Sequence, residues 1–252
     1  MNIIRGFKYF FLVVIIVVVT LPRAMAAEAR IAVATNFINV TKQIVPTFEK
    51  TTGHKVKVSY GSTGKLYAQI QNGAPFDVFL AADAERPKLL EDNGGAVPGS
   101  RFTYAVGKLV LWSTEKGYVD QFGRILSTGD FKRLAIANPK TAPYGAAAQE
   151  VMEALGVWEH VQPRLVMGES IAQTFQFVAT GNVPLGFVAL AQVEAVENKG
   201  SFWRVPDKLY TPIEQQAVLL QRGADNQAAK AFFEFLQSEE IRRVITGFGY
   251  GN

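Results

Sequence analysis

Short apolar strand patterns alternate with amphipathic helix patterns along most of the chain. Strand patterns lie at 30–34, 56–60, 78–81, 134–137, 165–167 and 185–188. Helix patterns lie at 39–51, 64–71, 84–93, 146–155, 170–180, 226–236 and 239–245. Such alternation is typical of α/β proteins, in which a mostly parallel sheet is flanked by helices. We therefore predict this fold class.

Two longer strand patterns, 102–112 and 213–220, bracket a complete α/β unit. This arrangement predicts two lobes joined by two crossing strands that act as a hinge. Residues 27–106 together with 217–252 form lobe one, and residues 107–216 form lobe two. In open α/β sheets a ligand binds at the carboxyl ends of the strands, so we expect a cleft between the lobes.

The first 26 residues have the pattern of a cleaved secretory signal peptide. Two basic residues precede an apolar run at 9–19, which is too short to span a membrane, and Ala24-Met25-Ala26 supplies the cleavage pattern. The segment holds Arg5, Lys8 and Arg23 and no acidic residue, so its removal leaves a mature chain with a net charge of +1. A net charge this small does not indicate nucleic acid or an anionic membrane as a partner.

The chain has no cysteine and only two histidines. A disulfide framework, a thiolate metal site and a lipid-modified N-terminal cysteine are therefore excluded. His54 and His160 have no Ser or Asp neighbour that indicates a catalytic triad. We predict no catalytic residue, no metal site and no cofactor, and we expect a monomer that resides in a periplasm.

Small and hydroxyl residues follow four predicted strands where a helix begins. These loops are 34–36 (ATN), 61–64 (GSTG), 143–145 (PYG) and 168–171 (GESI). Helix N-termini present unpaired N–H groups and a positive dipole end, so their convergence would form an anion site without formal charges. The hydroxyls of Thr35, Ser62 and Thr63 and the Asn36 amide would add donors. Such residues are mostly plain N-caps, so the pattern does not identify the ligand.

Several stretches resemble the periplasmic molybdate-binding proteins of molybdate ABC transporters, especially the branch whose first loop reads Thr-Asn. They are VATNF (33–37), SYGSTGKLYAQI (59–70), NGAPFDVFLAAD (72–83), PGSRFTYAVGKLVLW (98–112), NPKTAPYGAAA (138–148), PLGFVALAQ (184–192) and AFFEFLQSEEIRRVITGFGY (231–250). The resemblance runs through nearly all of the mature chain. It implies a two-lobed periplasmic binding protein, not an enzyme, that passes molybdate or tungstate to an inner-membrane ABC permease.

The resemblance also implies a ligand set that consists only of neutral hydrogen-bond donors. These residues are Thr35, Asn36, Ser62, Thr63, Tyr144 and Ile171, with Ile171 contributing its backbone N–H. Many family members have a tyrosine where this chain has Ala189, so Asn36 or Tyr144 is expected to replace that hydroxyl. Whether Ser62 binds the ligand or only caps its helix stays open. Lys65 is expected to be a solvated surface residue.

Three alternatives remain on sequence grounds. The first keeps the class and changes the ligand to sulfate, another oxyanion or a ferric complex, although the chain lacks the Tyr-Tyr pair typical of iron binders. The second is an exported hydrolase, for which the two histidines are poorly placed. A structural or adhesive module would show no response to a ligand.

Overall fold

The computed structural model describes residues 26–251, so the predicted signal peptide lies almost entirely outside the described residues. The strands are β1 (Glu28–Ala34), β2 (Lys55–Gly61), β3 (Val78–Leu80), β4 (Phe102–Gly107), β5 (Leu109–Ser113), β6 (Leu134–Ala137), β7 (Leu165–Gly168), β8 (Leu185–Ala189), β9 (Ser201–Arg204) and β10 (Ile213–Leu219). The helices are α1 (Ile38–Thr52), α2 (Thr63–Gln71), α3 (Glu85–Asp92), α4 (Ile125–Thr128), α5 (Pro143–Ala154), α6 (Trp158–Val161), α7 (Ile171–Ala179), α8 (Leu190–Glu194), α9 (Gln227–Leu236) and α10 (Glu239–Gly247). Among the helices of this part of the chain, none is both long enough and apolar enough to cross a membrane.

The strands form two five-stranded sheets flanked by helices, which confirms the predicted two-lobed α/β architecture. Lobe one contains the sheet β2-β1-β3-β10-β4, and lobe two contains the sheet β7-β6-β8-β5-β9. Each sheet is mostly parallel, as predicted, with four strands in one direction and one strand in the other. Its three strands joined through helices are parallel, whereas β10 in lobe one and β5 in lobe two pair antiparallel with both neighbours.

The stretch 102–112 passes from lobe one to lobe two, as predicted, but it does so as two strands and not as one. The predicted strand 102–112 divides at Lys108, so that β4 belongs to lobe one and β5 to lobe two. The chain returns through residues 205–212, ahead of β10. The predicted lobe boundary at residue 217 therefore falls inside a strand, because Ile213 already pairs with Gly107 of β4.

Each lobe has its own apolar core. In lobe one the largest cluster lies between the sheet and helices α1, α9 and α10, and includes Ile31, Phe48 and Phe232. In lobe two it lies between the sheet and α5, and includes Leu111, Ile136 and Phe187. Burial of such side chains contributes ~1.5–3 kcal/mol each, so each lobe can hold its strand ends in fixed positions.

The loops predicted to bind the ligand lie at the carboxyl ends of parallel strands. Ala34 at the end of β1 pairs with Gly61 at the end of β2, which brings the first two loops side by side. In lobe two, Ala137 at the end of β6 pairs with Gly168 at the end of β7. The two lobes turn these strand ends toward each other.

Candidate oxyanion-binding site

A very small cavity of about 10 Å³, enough for one water molecule, lies where these four strand ends meet. All six residues that the sequence singled out line it. The full lining is Ala34, Thr35, Asn36, Ser62, Thr63, Ala82, Ala142, Pro143, Tyr144 and Ile171. None of these ten residues carries a formal charge, so the cavity can attract an anion only through hydrogen bonds and helix dipoles.

The three hydroxyl side chains of lobe one are buried and keep their protons available. Thr63 Oγ1 accepts the N–H of Ala82 at 3.0 Å, and Thr35 Oγ1 accepts the N–H of Ala172 at 3.4 Å. A hydroxyl that accepts in this way still has its own proton to donate. Ser62 Oγ is buried and has no protein partner, although it precedes α2 at the cap position. The capping alternative for Ser62 is therefore contradicted.

Lobe two contributes the beginnings of two helices. Helix α5 begins with Pro143, which has no N–H, so the N–H of Tyr144 is the first that this helix can offer. Helix α7 begins at Ile171, and the preceding Ser170 caps the helix by accepting the N–H of Gln173. The cap leaves the N–H of Ile171 without an intrahelical acceptor.

The Asn36 side chain does not supply the donors expected of it. Its Nδ2 already donates to Gln215 Oε1 at 2.7 Å and to Tyr250 Oη at 3.1 Å, while its Oδ1 has no partner. An amide has only two N–H bonds, so none is left for a ligand. Asn36 lies in a one-turn 3₁₀ helix, Thr35–Phe37. Its backbone N–H is the donor that this residue can still offer.

Tyr144 is almost completely buried and stays neutral. Its hydroxyl accepts the Nε2 of Gln215 at 3.1 Å, and burial raises its pKa well above the ordinary phenol value. Gly107 makes this position possible, because a Cβ there would lie 2.4 Å from Tyr144 Oη. Ala189 is buried at the end of β8 and does not line the cavity.

Charged side chains lie around the cavity, not in it. Lys65 of lobe one forms an exposed ion pair with Glu169 of lobe two, in agreement with the expectation that it does not point inward. Arg86 pairs with Asp83, whose pKa is raised because burial outweighs the attraction of the guanidinium. Gly64 N–H donates to Thr141 O at 2.9 Å, so the lobes also meet through their backbones.

Gln215 was not predicted as a site residue, yet it is fully buried in β10 and bonds to residues of both lobes. The only signal was a run of three polar residues, Glu214 to Gln216, at the start of an otherwise apolar strand pattern. The histidines do not form a site, since His54 accepts the N–H of Ala27 and His160 contacts Leu126 O. Residues 26–251 contain no group of three or more His, Asp or Glu side chains that could hold a metal ion.

Comparisons with known proteins show the family of this chain. The family model for bacterial extracellular solute-binding proteins matches residues 29–251. The molybdate-binding protein ModA of Azotobacter vinelandii is 57% identical over 230 residues, covering 90% of this chain and 91% of the relative. ModA of Rhodobacter capsulatus is 54% identical over 227 residues, covering 90% and 89%.

A solved structure, the periplasmic molybdate-binding protein of Azotobacter vinelandii, superposes with a TM-score of 0.86 at 42% identity. The match covers 89% of this chain and 99% of that one. These findings confirm the resemblance drawn from the six internal stretches and the C-terminal segment. The chain belongs to the bacterial extracellular solute-binding protein family and, within it, to the group that includes the molybdate-binding proteins ModA.

Proposed function

We propose that this protein captures molybdate or tungstate in the cavity between its lobes and delivers it to an ABC permease. The observation that carries the proposal is the buried Ser62 hydroxyl, which has no protein partner in a cavity lined by neutral donors. A buried polar atom without a partner is rare and costs stability, so a ligand that accepts its hydrogen bond accounts for it. The molybdate-binding relatives at 57% and 54% identity support the choice of ligand.

The available donors are sufficient for tight binding. They are the hydroxyls of Thr35, Ser62 and Thr63 and the backbone N–H groups of Asn36, Tyr144 and Ile171. A hydrogen bond to a charged acceptor contributes ~1.5–3 kcal/mol, so about six of them exceed the entropy lost when a small ion is held. The dianion needs no arginine or lysine in direct contact.

Selectivity in this proposal comes from size and from protonation. Sulfate is also a tetrahedral dianion that uses the same donors, so it is discriminated by the fit of a smaller ion in the cavity. Hydrogen phosphate carries a proton that needs an acceptor, and no carboxylate lines the cavity. Molybdate and tungstate have nearly equal size and identical charge, and we propose both as ligands.

The remaining parts of the proposal follow from the N-terminal pattern and from the family. Removal of residues 1–26 as a signal peptide would release the protein into the periplasm as a monomer. An inner-membrane permease would dock on the lobe surfaces, because the ligand itself is enclosed. The protein would bind and release its ion without chemical change and without a cofactor.

Isothermal titration of residues 27–252 with molybdate, tungstate, sulfate and phosphate tests the proposal. We expect tight one-to-one binding of the first two ions, and weak or absent binding of the others. Sulfate binding as tight as molybdate would keep the class and overturn the named ligand. Absence of heat with every oxyanion would contradict the function.

A further inference from the structure

We propose that Gln215 is a positioning residue of the oxyanion site, which joins the cavity wall of lobe one to that of lobe two. This inference rests on the function proposed above. Gln215 lies in β10, directly after the second connection between the lobes, and none of its surface is exposed. Its amide bonds to Asn36 of lobe one and Tyr144 of lobe two, both of which line the cavity.

Tyr250, Asn36, Gln215 and Tyr144 form a chain of hydrogen bonds. The direction of each bond follows from which atoms can donate. Tyr250 Oη donates its single proton to the backbone carbonyl of Asn36 at 2.8 Å, since a carbonyl can only accept. Tyr250 Oη must therefore accept from Asn36 Nδ2, which places that nitrogen toward Gln215 as well. Gln215 presents Oε1 to Asn36, and so its Nε2 donates to Tyr144.

The orphaned oxygen of Asn36 agrees with this account. Turning the Asn36 amide over would move its Oδ1 to the side of Gln215 Oε1, where two acceptors would face each other. The observed orientation instead leaves Oδ1 buried without a partner. A buried acceptor without a partner is unfavourable, and the hydrogen bonds Tyr250–Asn36–Gln215–Tyr144, all in one direction, offset that loss.

Gln215 lies near the connection between the lobes, and this position explains the role of the hydrogen-bond chain. Gly107, the last residue of β4 before the chain enters lobe two, has no side chain, and a Cβ there would lie 2.8 Å from Gln215 Nε2. A side chain at this position would obstruct the Gln215–Tyr144 bond, which links α5 of lobe two to β10 of lobe one when the lobes are closed. A ligand that requires the closed cavity is released more slowly when such a bond stabilises closure.

The test compares Gln215→Met with Gln216→Met in the protein lacking residues 1–26. Gln216 is a matched control because its amide bonds to Arg101 and Thr103 instead of to the cavity residues. With molybdate as the probe, we expect Gln215→Met to raise the dissociation rate about 10-fold with the association rate within about 2-fold. Gln216→Met should leave both rates within about 2-fold of the unaltered protein.

A double-mutant cycle separates positioning from a general loss of stability. If Gln215 acts through Tyr144, Gln215→Met combined with Tyr144→Phe should lose no more affinity than the more damaging single variant. Additive losses, or an unchanged dissociation rate in Gln215→Met, would overturn the inference. Failure of the unaltered protein to bind molybdate would instead overturn the proposed function, and the inference with it.

Gln215→Glu provides a second variant with a readout in pH. An ionised carboxylate cannot donate to Tyr144 and repels a dianion, so affinity should fall about 10-fold or more at about pH 9 and recover toward pH 6 as the carboxyl protonates. The neighbouring titratable groups are Tyr104, Tyr144 and Tyr250, whose pKa values burial raises, and Asp83 with its partner Arg86. A flat pH profile for this variant would contradict the assignment.

Discussion

Lobe one and lobe two line the same cavity with different chemistry. Lobe one contributes three hydroxyl side chains, Thr35, Ser62 and Thr63, from the ends of β1 and β2. Lobe two contributes the first N–H groups of α5 and α7, at Tyr144 and Ile171. Substitution can remove a hydroxyl, whereas only proline removes a backbone N–H. The two walls therefore call for different experiments, and lobe two should tolerate most side-chain changes.

Ile171→Pro should have the largest effect. Proline fits the first position of a helix, and the extended Ser170 before it suits a residue that precedes proline, so α7 should persist. The substitution removes the N–H at the positive end of the helix dipole and alters the cavity wall. We expect an affinity loss of about 100-fold for molybdate by titration calorimetry.

Ile171→Val is the matched control, because it keeps the N–H and shortens the buried side chain by one methyl group. Its affinity should stay within about 3-fold of the unaltered protein, since loss of one methyl acts mainly on stability. Equal losses in the two variants would show that the side chain of Ile171, and not its backbone, matters to the ligand.

Thr63→Ala should weaken binding about 10- to 100-fold, because it removes a hydroxyl donor from lobe one. It should also destabilise the protein by ~1 kcal/mol, since the N–H of Ala82 loses its acceptor. Thr63→Ser keeps both interactions and should restore most of the affinity. Lys65→Ala should change affinity less than about 3-fold, because its ion pair with Glu169 is exposed. A larger loss from Lys65→Ala than from Thr63→Ala would contradict a site built on neutral donors.

Ser62→Ala separates binding from stability. Its hydroxyl is buried without a protein partner, so its removal should leave the unfolding temperature without ligand unchanged or slightly higher. Affinity for molybdate should nevertheless fall about 10-fold, because a hydrogen bond to the charged ligand is lost. An unchanged affinity in this variant would remove the observation on which the proposed function rests.

The smallest effect is expected from pH. The only titratable side chain that lines the cavity is Tyr144, and burial raises its pKa well above the ordinary phenol value. A raised phenol pKa means that the neutral hydroxyl is lost only as pH rises through that raised value. Molybdate affinity should therefore be constant from about pH 6 to about pH 9. A step in affinity within this range would indicate a titratable ligand that the cavity does not show.

The architecture and the position of the site follow from local patterns. Alternating strands and helices predict the α/β lobes, and small or hydroxyl residues at strand ends predict the loops that meet at the cavity. Each helix and strand, together with its capping residues, is determined by residues that are close to it in the sequence. These features depend on neighbours within a few turns, which a sequence pattern can report.

Features that depend on contacts between residues far apart in the sequence could not be predicted from such patterns. The stretch 102–112 is predicted as one strand that crosses between the lobes, and nothing in its residues shows that it breaks at Lys108 into strands of two different sheets. The loop pattern predicts the Asn36 amide as a ligand donor, but the partner that occupies this amide, Gln215, lies 179 residues away. Gln215 itself has no local pattern that separates it from any other polar residue in a strand.

The most direct test of the central claim is a crystal structure with molybdate, in which the anomalous scattering of molybdenum locates the ion. The account predicts one ion in the cavity between the lobes, with its oxygens within hydrogen-bond distance of Ser62 Oγ, Thr63 Oγ1 and the Ile171 N–H. Molybdenum bound elsewhere, or held in this cleft by Lys65, would contradict it.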